Sequence, residues 1–506
     1  MKKGTLILGA SLLSVVSMAA QGVKPNVVFF LMDDMGYGDL SIMGSTRIAT
    51  PNIDALAANG KMLTQHYAGA PVSAPSRCVL LTGRHTGHAA IRGNDEWDER
   101  GDVWSMQAMA RDERLEGQRP MPKGERTLAR ELQRAGYRTA CIGKWGLGAP
   151  GSVSAPNEAG FDFFYGYNCQ RVSHSYYPAY LYRNGEREYI NAVPMMGAKL
   201  DQGADALDPH SYDKFNKGQY APELLQKEVL RFIDQNSDRP FFLWFTTPIP
   251  HASLAAPQRW IDHYHKIFGD EKPFPGNHYS PVRYPRATYA AMVSYVDEQI
   301  GEVVAELKAK GVYDNTIIIF TSDNGPSSEG GGDSPWLDSA RPFRSAEGWG
   351  KRSLHEGGIR VPTIVSWSGH IAPRSSSHMM SAFQDWFPTL LAAAGVEPID
   401  ETLDGVNILP TLLGIGQQEE HDFLYWEYAD GGSLAVRCGE WKMIVTDIRR
   451  KPVYWLYNLA FDVREQTNLA DRYPEKLAQL RAMAALAHSE PENKVFSFGL
   501  PLPLGE

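Results

Sequence analysis

The chain has 506 residues, 43% of them hydrophobic and 22% charged, with a formal net charge of −9. This is the make-up of a globular protein with one large core and room for a smaller appendage, and the acidic balance excludes a general attraction to nucleic acid or anionic membranes. Any anionic substrate must therefore be met by cations gathered locally. At the N-terminus, Lys2 and Lys3 precede a mostly apolar stretch over 4–16, and Ser17-Met18-Ala19 offers small residues for cleavage. Residues 1–19 thus read as a signal peptide, the stretch being too short for a comfortable membrane span. An exported protein, periplasmic or secreted and with no membrane partner, is expected. Four cysteines, Cys78, Cys141, Cys169 and Cys438, are too few for a disulfide framework and lack zinc-site spacing. They read as buried small hydrophobes.

In chain order, residues 25–31 form an apolar strand that runs into Asp33-Asp34. Residues 51–59 read as a helix with Ile53, Leu56 and Ala57 on one face. A helix over 126–135 precedes a strand over 137–143 that ends in Lys144-Trp145-Gly146. A helix over 222–235 leads to the strand 241–245, followed by Thr246 to His251. A long helix over 286–309 carries the stripe Met292, Val296, Ile300, Val303 and Leu307. The strand 316–320 follows and ends in Ser322-Asp323-Asn324-Gly325. Continuous apolar strands alternating with helices indicate an α/β fold, a large mostly parallel sheet sandwiched by helices. The Gly- and Ser-rich segment 326–358 reads as an active-site loop. Beyond residue 400, four short strands and a helix over 474–487 predict a C-terminal antiparallel sheet plus helix. The expected division is therefore 20–400 for the large domain and 401–506 for the small one.

Asp33, Asp34, Lys144, His251, Asp323 and Asn324 all lie just past a predicted strand, where ligands collect in open α/β sheets. The two acidic pairs supply hard oxygen donors suited to calcium or magnesium. In the run from Ser73 to Arg84, Pro75 marks a first helical turn and puts Ser73 at a helix N-terminus. Ser73 there could face a bound anion, or it could simply cap the helix. Arg77, Lys144, His251 and Lys351 could together clamp a tetrahedral anion and donate a proton to a leaving oxygen.

The blocks Pro25 to Val28, Asp33 to Asp39, Thr50 to Asp54, Ser73 to Arg84, Gly143-Lys144-Trp145, Pro250-His251, Thr321 to Gly325 and Lys351 through Glu356 to Pro362 occur in a fixed order. So do Arg437 to Lys442, Leu456 to Leu459 and Asn468-Leu469-Ala470. In these the chain resembles the formylglycine-dependent sulfatases of the alkaline-phosphatase-like superfamily, specifically the bacterial serine type. The resemblance implies that a serine-type maturase oxidises Ser73 to formylglycine before export. One hydroxyl of the hydrated aldehyde then attacks sulfur, and the other helps expel sulfate. It implies one calcium ion held by Asp33, Asp34, Asp323, Asn324 and the modified Ser73. It further implies that Arg77 and Lys144 position that residue, and that His251, as general acid, and Lys351 contact the sulfate. Many members carry His where this chain has Gly146, and His174 is the candidate to take over its task. Loop residues Asp95, Arg171, His174, Trp349 and His355 are expected to face the substrate. That substrate is a sulfated carbohydrate, and the loops resemble those of bacterial enzymes acting on galactose or N-acetylgalactosamine. Two other readings stay open at this point: a metal-dependent phosphodiesterase or phosphonate hydrolase using unmodified Ser73, and a non-catalytic glycan-binding homologue.

Overall fold

A computed structural model describes residues 24–194, 199–396 and 402–499. The expected signal peptide lies outside the described residues. The strands of the large sheet are, in chain order, β1 (Asn26–Met32), β2 (Gly60–Leu63), β3 (Arg138–Lys144), β4 (Phe163–Tyr167) and β5 (Tyr180–Arg183). They continue with β6 (Glu186–Tyr189), β7 (Phe241–Thr246), β8 (Thr316–Ser322), β9 (Ile364–Ser366) and β10 (Ser375–Ser377). Their spatial order is β10-β2-β9-β8-β1-β7-β3-β4-β5-β6. The central strands β8, β1, β7, β3 and β4 pair in parallel, while antiparallel neighbours flank them at both sides.

Helices cover both faces, and β1 shows why its sequence is apolar throughout. Val28, Phe30 and Met32 point into one core with α1 (Pro51–Ala58), while Val27, Phe29 and Leu31 point into another with α2 (Ser73–Thr82) and α3 (Leu128–Arg134). The first layer is completed by α4 (Ala221–Asn236) and α5 (Pro285–Ala309), the second by α6 (Trp386–Ala393). Proline opens α1 and α5, where a missing N–H costs nothing. The four cysteines are free thiols, three of them buried.

The C-terminal sheet is antiparallel: β11 (Leu424–Tyr428), β12 (Ser433–Cys438), β13 (Trp441–Thr446) and β14 (Val453–Asn458). One face takes Leu480, Ala484 and Ala487 of α7 (Pro474–Ala487). The other packs Leu424, Trp426 and Ile444 against Tyr67, Val72 and Ile359 of the large domain. Ile408 and Leu412, from the segment that joins the two sheets in sequence, belong to the same core as α6.

Candidate active site

Register brings the strand-end residues together. Met32 pairs with Ser322 and Leu31 with Thr246, so the chains leaving β1, β8 and β7 emerge side by side. Gly143 pairs with Thr246, which adds the end of β3. The Asp323 amide donates to the Met32 carbonyl (2.9 Å), and the Asp34 amide to Asp323 Oδ1 (3.2 Å). Asp34 takes a left-handed backbone (φ 66°), a conformation worth holding only where neighbours over-determine it.

At the edge of this cluster stands Ser73, the first residue of α2. Val72, not Ser73, occupies the N-cap position, and the Ser73 hydroxyl does no capping. It donates instead to Asp33 Oδ1 (3.1 Å) and lies 3.4 Å from Lys144 Nζ, which pairs with Asp33 Oδ2 at 2.6 Å. The Ala74 amide in this first turn is satisfied by Asn94 Oδ1 (3.0 Å). Arg77, one turn on, forks onto Asp323 Oδ2 through Nε (3.1 Å) and Nη2 (2.9 Å) and donates to the Lys144 carbonyl (2.6 Å). Such bidentate charge-assisted bonds fix α2 relative to the strand ends. On the opposite side Lys351 Nζ meets Asp34 Oδ2 at 2.8 Å, and His251 Nε2 lies 3.6 Å from the same oxygen. His251 Nδ1 bonds the Ala252 carbonyl, which leaves Nε2 free for the cavity.

Three buried carboxylates, Asp33, Asp34 and Asp323, thus face three buried cations, Arg77, Lys144 and Lys351. Burial pushes the Asp33 carboxyl up, but Lys144, His251, Arg77 and Lys351 outweigh it and hold Asp33 well below the carboxylate range. Asp34 is raised by burial and by the charge of Asp33, against the pull of Lys351. Asp323 is pushed up to about 6 by burial and by Asp33, against Arg77 and Lys144. The carboxylate oxygens so gathered are hard donors of the kind that hold a cation. Asn324 adds a pointer of its own: its Nδ2 donates to Asp34 Oδ1 (2.7 Å), while its buried Oδ1 has no hydrogen-bond partner. An orphaned amide oxygen among carboxylates is a ready oxygen ligand. Ligand atoms of Asp33, Asp34 and His251 lie within 4.8 Å of one another.

Ser73 and Lys144 line a cavity of about 330 Å³, together with His174, His251 and Lys351. The family models for sulfatases and for the N-sulphoglucosamine sulphohydrolase C-terminal region match residues 25–396 and 346–488. The chain belongs to the sulfatase family. It is 31% identical to mouse (Mus musculus) N-acetylgalactosamine-6-sulfatase over 451 residues, covering 85% of this chain and 74% of that protein. It is equally identical to bovine (Bos taurus) arylsulfatase A over 452 residues, 87% and 76% of the two chains. Among solved structures, Ps i-CgsB in complex with k-i-k-neocarrahexaose superposes with a TM-score of 0.71 at 25% identity, covering 93% of this chain and 94% of that one. This sulfatase is accordingly a sulfuric ester hydrolase.

The loop residues expected to face the substrate divide. His174 lines the cavity, its ring stacked on His251 at 5.0 Å. Burial, then the neighbouring His251 charge, lowers its basicity well below the usual histidine range. Arg171 lines an adjoining space and is paired with Glu96. Asp95, Trp349 and His355 are not among the residues that line these two cavities. Asp95 is taken by Arg119 and the Trp97 amide. Trp349 is in contact with Arg344 (4.2 Å) and His355 (4.0 Å), and His355 packs on Tyr457 (5.9 Å). These rings seat the loop on the small domain. Residues that sequence reasoning did not select include Tyr279, with Tyr428 and Asp430 from the small domain, while Gln170, Glu329 and Arg352 come from segments it had assigned to the site's rim or loop. Gln170 carried a signal in Gly146. A Cβ at that left-handed position (φ 79°) would sit 2.5 Å from Gln170 Nε2, so the amide fills the niche that the glycine opens.

Proposed function

We propose that this sulfatase removes sulfate from a carbohydrate of the galactose or N-acetylgalactosamine type, through Ser73 converted to formylglycine and one calcium ion. The observation that carries the reading is the Ser73 hydroxyl held between Asp33 and Lys144 on the wall of a cation-lined cavity. Asp33, Asp34, Asp323 and Asn324 would hold the ion with the modified residue 73, and the orphaned Asn324 oxygen fits that role. The ion would supply positive charge where three carboxylates now cancel three cations, so that the site gains an excess suited to an anionic ester. Formylglycine would supply a geminal diol, a nucleophile with a built-in exit for the bound sulfate.

The chain's own residues divide the remaining work. Lys144, bonded to Asp33 and close to the residue 73 oxygen, stabilises the deprotonated nucleophile. Arg77 locks α2 to Asp323 and so fixes the direction of attack. Lys351 meets the sulfate oxygens. His251, its Nδ1 held by the Ala252 carbonyl, serves as the acid for the departing sugar hydroxyl in its doubly protonated form, giving up the Nε2 proton. Gln170 and His174 stand in for the family histidine missing at Gly146. Export under the signal peptide of residues 1–19 places the enzyme in a bacterial periplasm or outside the cell. Among the described residues no helix is long and apolar enough to cross a membrane.

The test is co-expression with a serine-type maturase, mass spectrometry of the Ser73 peptide, and turnover of a panel of sulfated monosaccharides and disaccharides. Conversion lowers the peptide mass by about 2 Da, the two hydrogens lost on oxidation. Sulfate release that depends on this conversion is the expected result. Turnover of a phosphate diester or phosphonate by the unmodified serine would overturn it.

A further inference from the structure

Next to the Ser73 cavity lies a second one of about 580 Å³, reaching Met106, Arg171 and His278. The two share Trp104, His174, Tyr279, Glu329 and Arg352, so they are neighbouring chambers joined along these side chains. Trp104 is a large apolar side chain, yet it is 61% exposed. Leaving so large an apolar ring in water forgoes the free energy of burying it, and here the ring is not loose. The fully buried guanidinium of Arg171 stands over one indole face, 5.6 Å from the centroid. Arg171 is in turn fixed by Glu96 and by the Leu115 carbonyl (3.2 Å). One residue after Trp104, the Ser105 side chain caps the helix Met106–Arg111 by accepting from the Ala108 amide (3.1 Å). The indole is therefore backed by Arg171 and anchored in the chain, with most of its surface open where the chambers meet.

A rigid aromatic face in water matches the apolar face of a pyranose, whose C–H groups pack on the ring while its hydroxyls stay solvated. The first chamber holds the reacting carbon of residue 73, so the sugar that bears the ester belongs there. A sugar linked to it can extend along the side chains that the two chambers share, past Trp104.

We propose that the chamber beyond Trp104 is a subsite for the sugar residue next to the sulfated one, stacked on the exposed indole. The proposal rests on the carbohydrate reading above. It makes the preferred substrate a saccharide of at least two units. His278 and Arg352, on the walls of this chamber, are placed to meet the hydroxyl or acidic groups of that second unit.

The experiment compares kcat/KM of the matured enzyme on sulfated N-acetylgalactosamine with that on a disaccharide carrying the same sulfated residue, for wild type, Trp104→Ala and Trp104→Phe. Both 4-O- and 6-O-sulfated pairs, and the matching galactose pairs, are used. Wild type is expected to favour the disaccharide by about tenfold, the scale of one aromatic stacking contact. Trp104→Ala should bring that ratio near one through KM, and Trp104→Phe should keep most of it. A wild-type ratio of one, or a ratio that Trp104→Ala leaves intact, overturns the subsite while the carbohydrate reading stands. Turnover of 4-nitrophenyl sulfate with none of any sulfated sugar overturns both.

Discussion

Two of the clusters of buried charge among the described residues are built alike. In the active site three carboxylates face Arg77, Lys144 and Lys351. At the joint between the domains, Lys442 of β13 bridges Glu356 (2.9 Å) and Glu465 (3.0 Å). There Glu356 is also bonded by Tyr67 (2.7 Å) and Arg360 (3.0 Å), and its own amide donates to Glu465 (2.6 Å). Both clusters draw on sequence blocks shared with sulfatases. They differ in what is left over. At the joint both Glu356 oxygens are taken, and Glu465 Oε1, which makes no hydrogen bond, still faces the Lys442 ammonium at 3.0 Å. The active site borders a cavity and keeps an Asn324 oxygen with no donor. Burial of charge alone thus does not mark chemistry. An unspent donor or acceptor beside a space does.

Substitutions can separate the two. Ser73→Ala should abolish sulfate release, by at least about 10⁴-fold in kcat, while shifting stability by no more than about 1 kcal/mol, since Lys144 still pairs with Asp33. Lys442→Met should do the reverse at the joint. It leaves the buried Glu465 without its cation and Glu356 with Arg360 alone, and should cost about 3–5 kcal/mol in denaturant unfolding. Comparable stability losses in the two variants would erase the distinction.

A finer contrast is in pH. Burial, against Lys442, pushes the Glu465 carboxyl up to about 7. Its folded form therefore binds a proton more tightly than the unfolded chain. That contribution is fully present below the ordinary glutamate range and is lost as pH rises through 7. Stability of wild type relative to Glu465→Gln should fall over this window by on the order of 3 kcal/mol, as read by unfolding between pH 4 and 8. The smallest effect is expected at Asp95, whose partner is Arg119 and not the cavity. Asp95→Asn should change kcat/KM by less than about threefold, as for a partly exposed ion pair.

The central strands and the strand-end residues were legible because long apolar runs and abrupt polar endings are local signals. Asp33, Asp34, Lys144, His251, Asp323 and Asn324 converge because parallel register carries equal strand ends to one edge. The short outer strands were not legible. Ser375–Ser377 has no apolar residue, and Glu186–Tyr189 is a polar hairpin arm. Loop direction was the other blind spot. Asn94 and Asp95 are adjacent, yet Asn94 serves α2 and lines the cavity while Asp95 turns to Arg119. Which of two neighbours points inward is decided by tertiary packing, as is the arrival of Tyr428 and Asp430 from the far end of the chain.

Every residue of α2 is buried, and Ser73 is only 1% exposed. Under the proposed reading this sets a deadline. A modifying enzyme needs the peptide in its grasp, and once the helix has docked there is nothing to seize. Oxidation must come while the polypeptide is still loose, and molecules that fold with their serine intact stay inert for good, however much maturase is added afterwards.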